Sequence, residues 1–204
     1  QTDADFQYLI YNTDGSESEQ CGNGTRCVAW LVRHLGLSKK TQLTWHSKGG
    51  LIKTQLREEH NRTVIETTLP KPSLDPAAVP FISSTNTNID VLKAAGKDFH
   101  ITAVSTGNPH GVVFVDNIAS IDVAAIGAQL SNHGAFPNQA NIGFCQVVDR
   151  AFVRLRVYER GVGETRACGT GASAAVVAAQ CQNLVDTQVK VSLPGGKLRI
   201  RWSG

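Results

Sequence analysis

Tyr158-Glu-Arg-Gly-Val-Gly-Glu-Thr-Arg-Ala-Cys168-Gly-Thr-Gly-Ala172 decides how this chain is read. A strand-like run from Phe152 to Tyr158 feeds a glycine-rich turn, then a cysteine, then Gly169-Thr170-Gly171 opening an alanine- and valine-rich helix. A cysteine there sits at a helix N-terminus, where unpaired N–H groups and the macrodipole favour negative charge. That placement predicts a lowered thiol pKa and an accessible thiolate. The same amides could hold an anionic group of a substrate.

Working outward, the pattern occurs twice. Cys21-Gly-Asn-Gly24 matches Cys168-Gly-Thr-Gly171, and Tyr11-Asn12 and Glu17 match Tyr158-Glu159 and Glu164 at the same spacing. After each helix, Thr41-Gln42-Leu43 matches Thr187-Gln188-Val189, and Gly49-Gly50 matches Gly195-Gly196, one residue closer. Strand, polar turn, Cys-Gly-x-Gly, helix, strand, Gly-Gly, strand therefore recurs in one order, as an internal repeat does. Two such domains related by pseudo-twofold symmetry would face two thiol-bearing helix N-termini into one cleft.

In chain order, Phe6–Tyr11 reads as a strand and Asn12-Thr-Asp-Gly15 as a turn. A helix runs from Cys21 to about Leu35, with Gly36 placed as its C-cap. Thr41–His46 and Leu51–Leu56 form a hairpin about Lys48-Gly49-Gly50, and Arg62–Leu69 is a further strand. Pro70, Pro72, Pro76 and Pro80 mark a linker, so the expected domains are 1–69 and 70–204. The second resumes with strands at His100–Ser105 and Val112–Val115 around the turn Thr106-Gly-Asn-Pro-His110. A helix at Ile121–Leu130, strands at Ile142–Val148 and Phe152–Tyr158, the helix after Cys168, and a hairpin at Gln188–Leu193 and Lys197–Trp202 follow.

The 204 residues, 41% hydrophobic, suffice for two small domains that need no staples. A net charge of +3, with Lys and Arg dispersed, argues against nucleic acid or an anionic membrane as main partner. No run of 18 apolar residues and no signal peptide is present, which predicts a cytoplasmic protein. Five cysteines without Cys-x-x-Cys spacing argue against zinc or a disulfide framework. Cys27 is expected in the core, Cys145 and Cys181 in the core or neutral, and His34, His46, His60, His100 and His133 at the surface or in packing. A start at Gln1 and the absence of methionine predict a piece of a longer polypeptide.

One activated cysteine suggests a nucleophile. Two opposed cysteines suggest an acid and a base on opposite faces of one carbon, hence a racemase or epimerase. Amides after each cysteine would receive the charge that builds on a neighbouring carboxylate. No dinucleotide or phosphate fingerprint is found, so no cofactor and no metal are expected. A binding module that captures an anion at these helix starts is the alternative of another class.

Asn12-Thr-Asp-Gly-Ser-Glu17, Cys21-Gly-Asn-Gly-Thr-Arg-Cys27, Thr106-Gly-Asn-Pro-His110, Asn141-Ile-Gly-Phe144, the stretch from Tyr158 to Gly171, and Leu193-Pro-Gly-Gly196 closely resemble the diaminopimelate epimerase family. The resemblance implies an α+β fold of two pseudo-symmetric domains, each a curved, mostly antiparallel sheet cradling a central helix. It implies cofactor-independent interconversion of LL- and meso-diaminopimelate, for lysine and peptidoglycan synthesis, by a homodimer. Carried over by motif, Cys21 and Cys168 are the two-base pair, the first as proton donor and the second as acceptor with the roles swapped for the reverse reaction, and His110 and Glu159 tune the thiols. Gly22, Asn23, Gly169 and Thr170 hold the reacting carboxylate. Asn12, Asn108, Asn141, Glu159 and Arg160 bind substrate, mainly its distal end. The family's opening Gly-Asn-Asp-Phe turn, a later glutamine and its final strands have no counterpart between Gln1 and Gly204, and Ser173 stands where many members carry cysteine. A proline or hydroxyproline racemase shares the two-cysteine plan, but Arg160 and the asparagines favour a substrate with a second polar end.

Overall fold

The computed structural model describes residues 3–11, 15, 17 and 21–204. The chain divides into two compact units, Gln1–Leu69 and Pro70–Gly204.

In the first unit, β1 (Phe6–Gln7) pairs parallel with β2 (Gln42–Ser47). β2 pairs antiparallel with β3 (Gly50–Glu59), and β3 with β4 (Arg62–Thr68). Between β1 and β2 runs α1 (Gly22–His34), packed on β3 and β4. The alternation of β2 sends Leu43 and Trp45 inward, where they meet Tyr8, Ala29, Val32, Ile52 and Leu56. The expected strand over Phe6–Tyr11 is shorter than its composition suggests: β1 ends at Gln7. The expected turn at Asn12–Gly15 lies, apart from Gly15, outside the described residues.

The second unit holds an eight-stranded sheet. Its strands are β5 (Ile89–Ala94), β6 (Lys97–Ser105), β7 (Pro109–Phe114), β8 (Asn141–Asp149), β9 (Phe152–Glu159), β10 (Gly163–Thr165), β11 (Gln188–Leu193) and β12 (Gly196–Arg201). The order is β12-β11-β9-β8-β7-β6-β5, with β10 hydrogen-bonded back onto β9. Pairing is antiparallel except at β7–β8 and β9–β11. On one face lies α3 (Gly169–Cys181), against β6, β7, β8, β9 and β12, and on the other α2 (Val123–Ser131). Strands covered on both faces read as near-continuous apolar runs. Thus Val104, Val112, Val153, Leu155 and Val157 pack towards α3, while Ile101, Ala103, Val113, Ile142 and Phe144 pack with the α2 side.

The repeat is realised as connectivity. β1–α1–β2–β3 and β9–α3–β11–β12 each comprise a strand, a helix, a parallel partner strand and an antiparallel hairpin. The fold is α+β, with the two sheets in separate units. The two helices differ in enclosure. Ala172, Ala174, Ala175, Ala178 and Ala179 are fully buried, as expected of a helix that neighbours approach closely. On α1 the equivalent positions stay open: Trp30 is 48% and Leu31 45% exposed, against 2% for Val177 and 0% for Ala178.

β5 is not foreseen in the sequence. It turns Asp90, Leu92 and Ala94 inward and Ile89, Val91 and Lys93 outward, so the usual polarity is inverted over Ile89, Asp90 and Val91 and normal beyond them. The buried Asp90 carboxylate is satisfied by Ser84, whose N–H and hydroxyl both donate to it. Cys27 is exposed, not core as expected; Cys181 is exposed too, whereas Cys145 is buried. Both exposed cysteines lie on helix faces that the sheets leave open.

Candidate active site

Each repeated cysteine is the N-cap of its helix. Cys21 has extended backbone (φ −144°, ψ 105°), and Gly24 N–H donates to its Sγ at 3.3 Å. Cys168 is alike (φ −127°, ψ 112°), with Gly171 N–H donating to its Sγ at 3.4 Å. A sulfur has replaced the usual capping oxygen, so each thiol points at unpaired helix amides. The fourth residue of each motif is glycine for space. A Cβ on Gly171 would sit 3.2 Å from the Cys168 sulfur, and one on Gly24 would sit 2.2 Å from the Tyr8 hydroxyl.

The two thiols have different surroundings. Near Cys21, Thr25 donates its hydroxyl to the Cys21 carbonyl at 2.9 Å, and Arg26 donates to Asn23 Oδ1. The Tyr8 hydroxyl lies 3.5 Å from the same carbonyl, and burial, then the neighbouring Cys21, push it above the usual phenol range. Cys168 is 5% exposed. Burial first, then the charge of Glu159, push its thiol up to about 12, against smaller opposing effects from the Thr170 hydroxyl and Gly171 N–H. The expected accessible, low-pKa thiolate is therefore not found at Cys168. The helix terminus does favour the anion, but desolvation and a facing carboxylate outweigh it.

Strand register gathers the remaining candidates of the second unit. β7 and β8 place His110 beside Asn141, and β8 and β9 pair Ile142 with Tyr158, next to Glu159. Asn141 accepts from the Arg160 backbone N–H at 2.9 Å and donates to the Pro109 carbonyl at 3.5 Å. It thereby fixes the turn carrying Glu159 and Arg160 against the turn carrying Asn108. Arg160 donates from one guanidinium nitrogen to the Asn138 carbonyl at 2.9 Å. His110 is 1% exposed, and its Nε2 lies 3.0 Å from Asn108 Oδ1. Burial, then the Arg160 cation, bring its pKa down to about 3, so the imidazole is neutral. Gly169 and Thr170 form the first turn of α3, and the Thr170 hydroxyl is 3.5 Å from Cys168 Sγ. Gly22 and Asn23 hold the corresponding places on α1. Asn12 lies outside the described residues.

The Leu193-Pro-Gly-Gly196 hairpin braces this loop from behind. Gly195 N–H donates to the Arg166 carbonyl at 2.7 Å, and a Cβ there would lie 2.8 Å from that oxygen. Among the described residues, no group of three or more His, Cys, Asp or Glu is placed to hold a metal ion, and no helix is long and apolar enough to cross a membrane.

The diaminopimelate epimerase family model matches residues 1–71 and 102–204. The chain belongs to the diaminopimelate epimerase family. A diaminopimelate epimerase from Teredinibacter turnerae is 46% identical over 202 residues, covering 99% of this chain and 72% of that protein. Another from Thioalkalivibrio sulfidiphilus is 47% identical, covering 98% and 71%. Among solved structures, a hydroxyproline epimerase from Agrobacterium vitis has TM-score 0.71 at 14% identity, with 97% of this chain and 62% of that one covered. A phenazine biosynthesis protein from Bacillus anthracis has TM-score 0.64 at 19% identity, with 95% and 70% covered. At these identities the structural likeness is one of fold.

Three residues make contacts here that carry no signal in the sequence. Thr165 donates its hydroxyl to Glu159 Oε1, Tyr8 lies over the start of α1, and Thr106 reaches both Asn108 and Thr170. Thr106 and Thr165 stand inside quoted motifs, but a lone hydroxyl carries no spacing signal. Tyr8 sits in a run that reads only as strand.

Proposed function

We propose that this protein interconverts LL- and meso-diaminopimelate by moving one α-hydrogen between the thiols of Cys21 and Cys168. The observation that carries this reading is the repeated N-cap thiol, found twice in the same strand–helix–hairpin unit of a chain belonging to this family. One thiolate takes the Cα hydrogen as a proton, and the C–H electron pair moves into the carboxylate. The thiol opposite gives its proton to the other face of Cα, which inverts the centre and leaves the second sulfur as thiolate. Amides of Gly22, Asn23, Gly169 and Thr170 receive the growing carboxylate charge. Burial and the charge of Glu159 favour the thiol form of Cys168, and the two sulfurs exchange the roles of donor and acceptor between the two directions.

The distal end is assigned to Asn12, Asn108, Asn141, Glu159 and Arg160. The guanidinium suits a carboxylate and the Glu159 carboxylate an ammonium. This polarity at both ends of the substrate favours diaminopimelate over a compact cyclic imino acid. The family resemblance also supports a homodimer in the cytoplasm, which sedimentation analysis and fractionation would test.

In deuterium oxide the protein should place label at one α-carbon of diaminopimelate and none in proline. Cys21→Ala and Cys168→Ala should each abolish turnover. Full turnover by either variant would sink the two-thiol reading, and ligand binding without exchange would leave a binding module.

A further inference from the structure

The turn joining β6 to β7 holds a buried hydroxyl that the chemistry above does not use. Thr106 is 1% exposed. Its backbone N–H donates to the Asn108 carbonyl at 3.3 Å. Its Oγ1 carries one hydrogen, shared as a three-centre bond between Asn108 Oδ1 at 3.4 Å and the Thr170 carbonyl at 3.5 Å. His110 Nε2 approaches the same Oδ1 at 3.0 Å. A carboxamide oxygen only accepts, so the imidazole carries its hydrogen on Nε2. Two donors thus converge on one oxygen of Asn108.

We propose that Thr106 is a positioning residue that locks the Asn108 carboxamide with Oδ1 towards the protein and Nδ2 towards the substrate, and ties it to the first turn of α3. The proposal rests on Asn108 being a substrate contact. Its consequence is a polarity: Asn108 is a hydrogen-bond donor, so it meets a carboxylate oxygen of the substrate and not the ammonium. Without the hydroxyl, the amide is held by His110 alone and can present its oxygen to that carboxylate. The same hydroxyl links the distal-end contact to the turn that follows Cys168, two residues from the sulfur.

The test compares Thr106→Val, which keeps shape and loses the hydroxyl, with Thr106→Ser, which keeps the hydroxyl and loses a methyl. Thr106→Val should raise KM about five- to tenfold, the worth of one hydrogen bond, with kcat within about twofold. Thr106→Ser should stay within about twofold of the parent in both. A serine variant as impaired as the valine variant, or a valine variant with unchanged KM, would overturn the positioning role in favour of packing. Asn108→Asp reads the polarity: KM should rise at least about a hundredfold, since two carboxylates then meet. Unchanged or tighter binding would mean that Asn108 accepts from the ammonium. Nitrogen-15 NMR of the histidines separates this idea from the functional reading. His110 should be the neutral Nε2–H tautomer, and an Nδ1–H tautomer would overturn the amide orientation whatever the assay shows. Absence of α-hydrogen exchange in the parent protein would instead remove the substrate.

Discussion

Cys145 and Cys168 are both thiols that burial pushes up to about 12, but only Cys168 has the carboxylate of Glu159 among the causes. Cys27 and Cys181 are exposed. With iodoacetamide at neutral pH, Cys27 and Cys181 should be alkylated first and Cys168 slowly, as mass spectrometry of quenched samples would show. Glu159→Gln should speed modification of Cys168, since removing the charge favours the thiolate; an unchanged rate would mean that burial alone sets it. The raised folded-state pKa also has a stability consequence. Below the ordinary value of 9.0 the burial is without penalty, and stability is lost as pH rises from there towards about 12. His110 has the opposite sense. It is neutral in the fold and protonated in the unfolded chain below about 6.5, so stability falls as pH drops from there towards about 3. Urea unfolding at pH 7 and pH 5 should show parent protein losing about 1–2 kcal/mol more than His110→Gln over that interval.

At the scale of elements, α2 explains how Glu159 is kept in place. A Cβ on Gly127 would lie 2.5 Å from Tyr158 Cβ, the root of the side chain and not its flexible end. Gly127→Ala should cost about 1–3 kcal/mol and displace the residue just before Glu159, so denaturant midpoint and turnover should fall together. Gly134→Ala, which meets nothing within 4 Å, serves as the control and should leave both near the parent values. Much of this architecture was legible in the residues. The Cys-Gly-x-Gly pairs, the Gly-Gly hairpins and the apolar strands announce a twice-used unit, because each rests on local chemistry. β5 was not, because its inward Asp90, satisfied by Ser84 six residues earlier, breaks the apolar alternation at the start of the strand. The Cys168 pKa departs from its expected direction for a related reason: a helix N-terminus is visible in sequence, but the desolvation that outweighs it comes from strands distant along the chain. Thr106 illustrates the limit at the site, since its partners come from its own turn and from α3.

Across the whole molecule, the repeat has been kept in connectivity and relaxed in side chains. α3 is an alanine-rich rod enclosed by strands, while α1 leaves Trp30 and Leu31 nearly half exposed. Trp30→Ser with Leu31→Ser should lower binding of a hydrophobic dye without loss of the folded state. If that double change unfolds the first unit, the face is structural as it stands. A sheltered thiol also has a kinetic meaning. On the two-thiol reading, Cys168 at 5% exposure should exchange its hydrogen with water more slowly than the half-buried Cys21, through which solvent deuterium enters the substrate. A hydrogen that it removes from one substrate molecule can then survive product departure and be handed to the next. With a mixture of α-deuterated and unlabelled diaminopimelate at high concentration, deuterium should cross into the unlabelled pool during conversion. The enclosing strands would then act as a memory, carrying the isotopic history of one turnover into another.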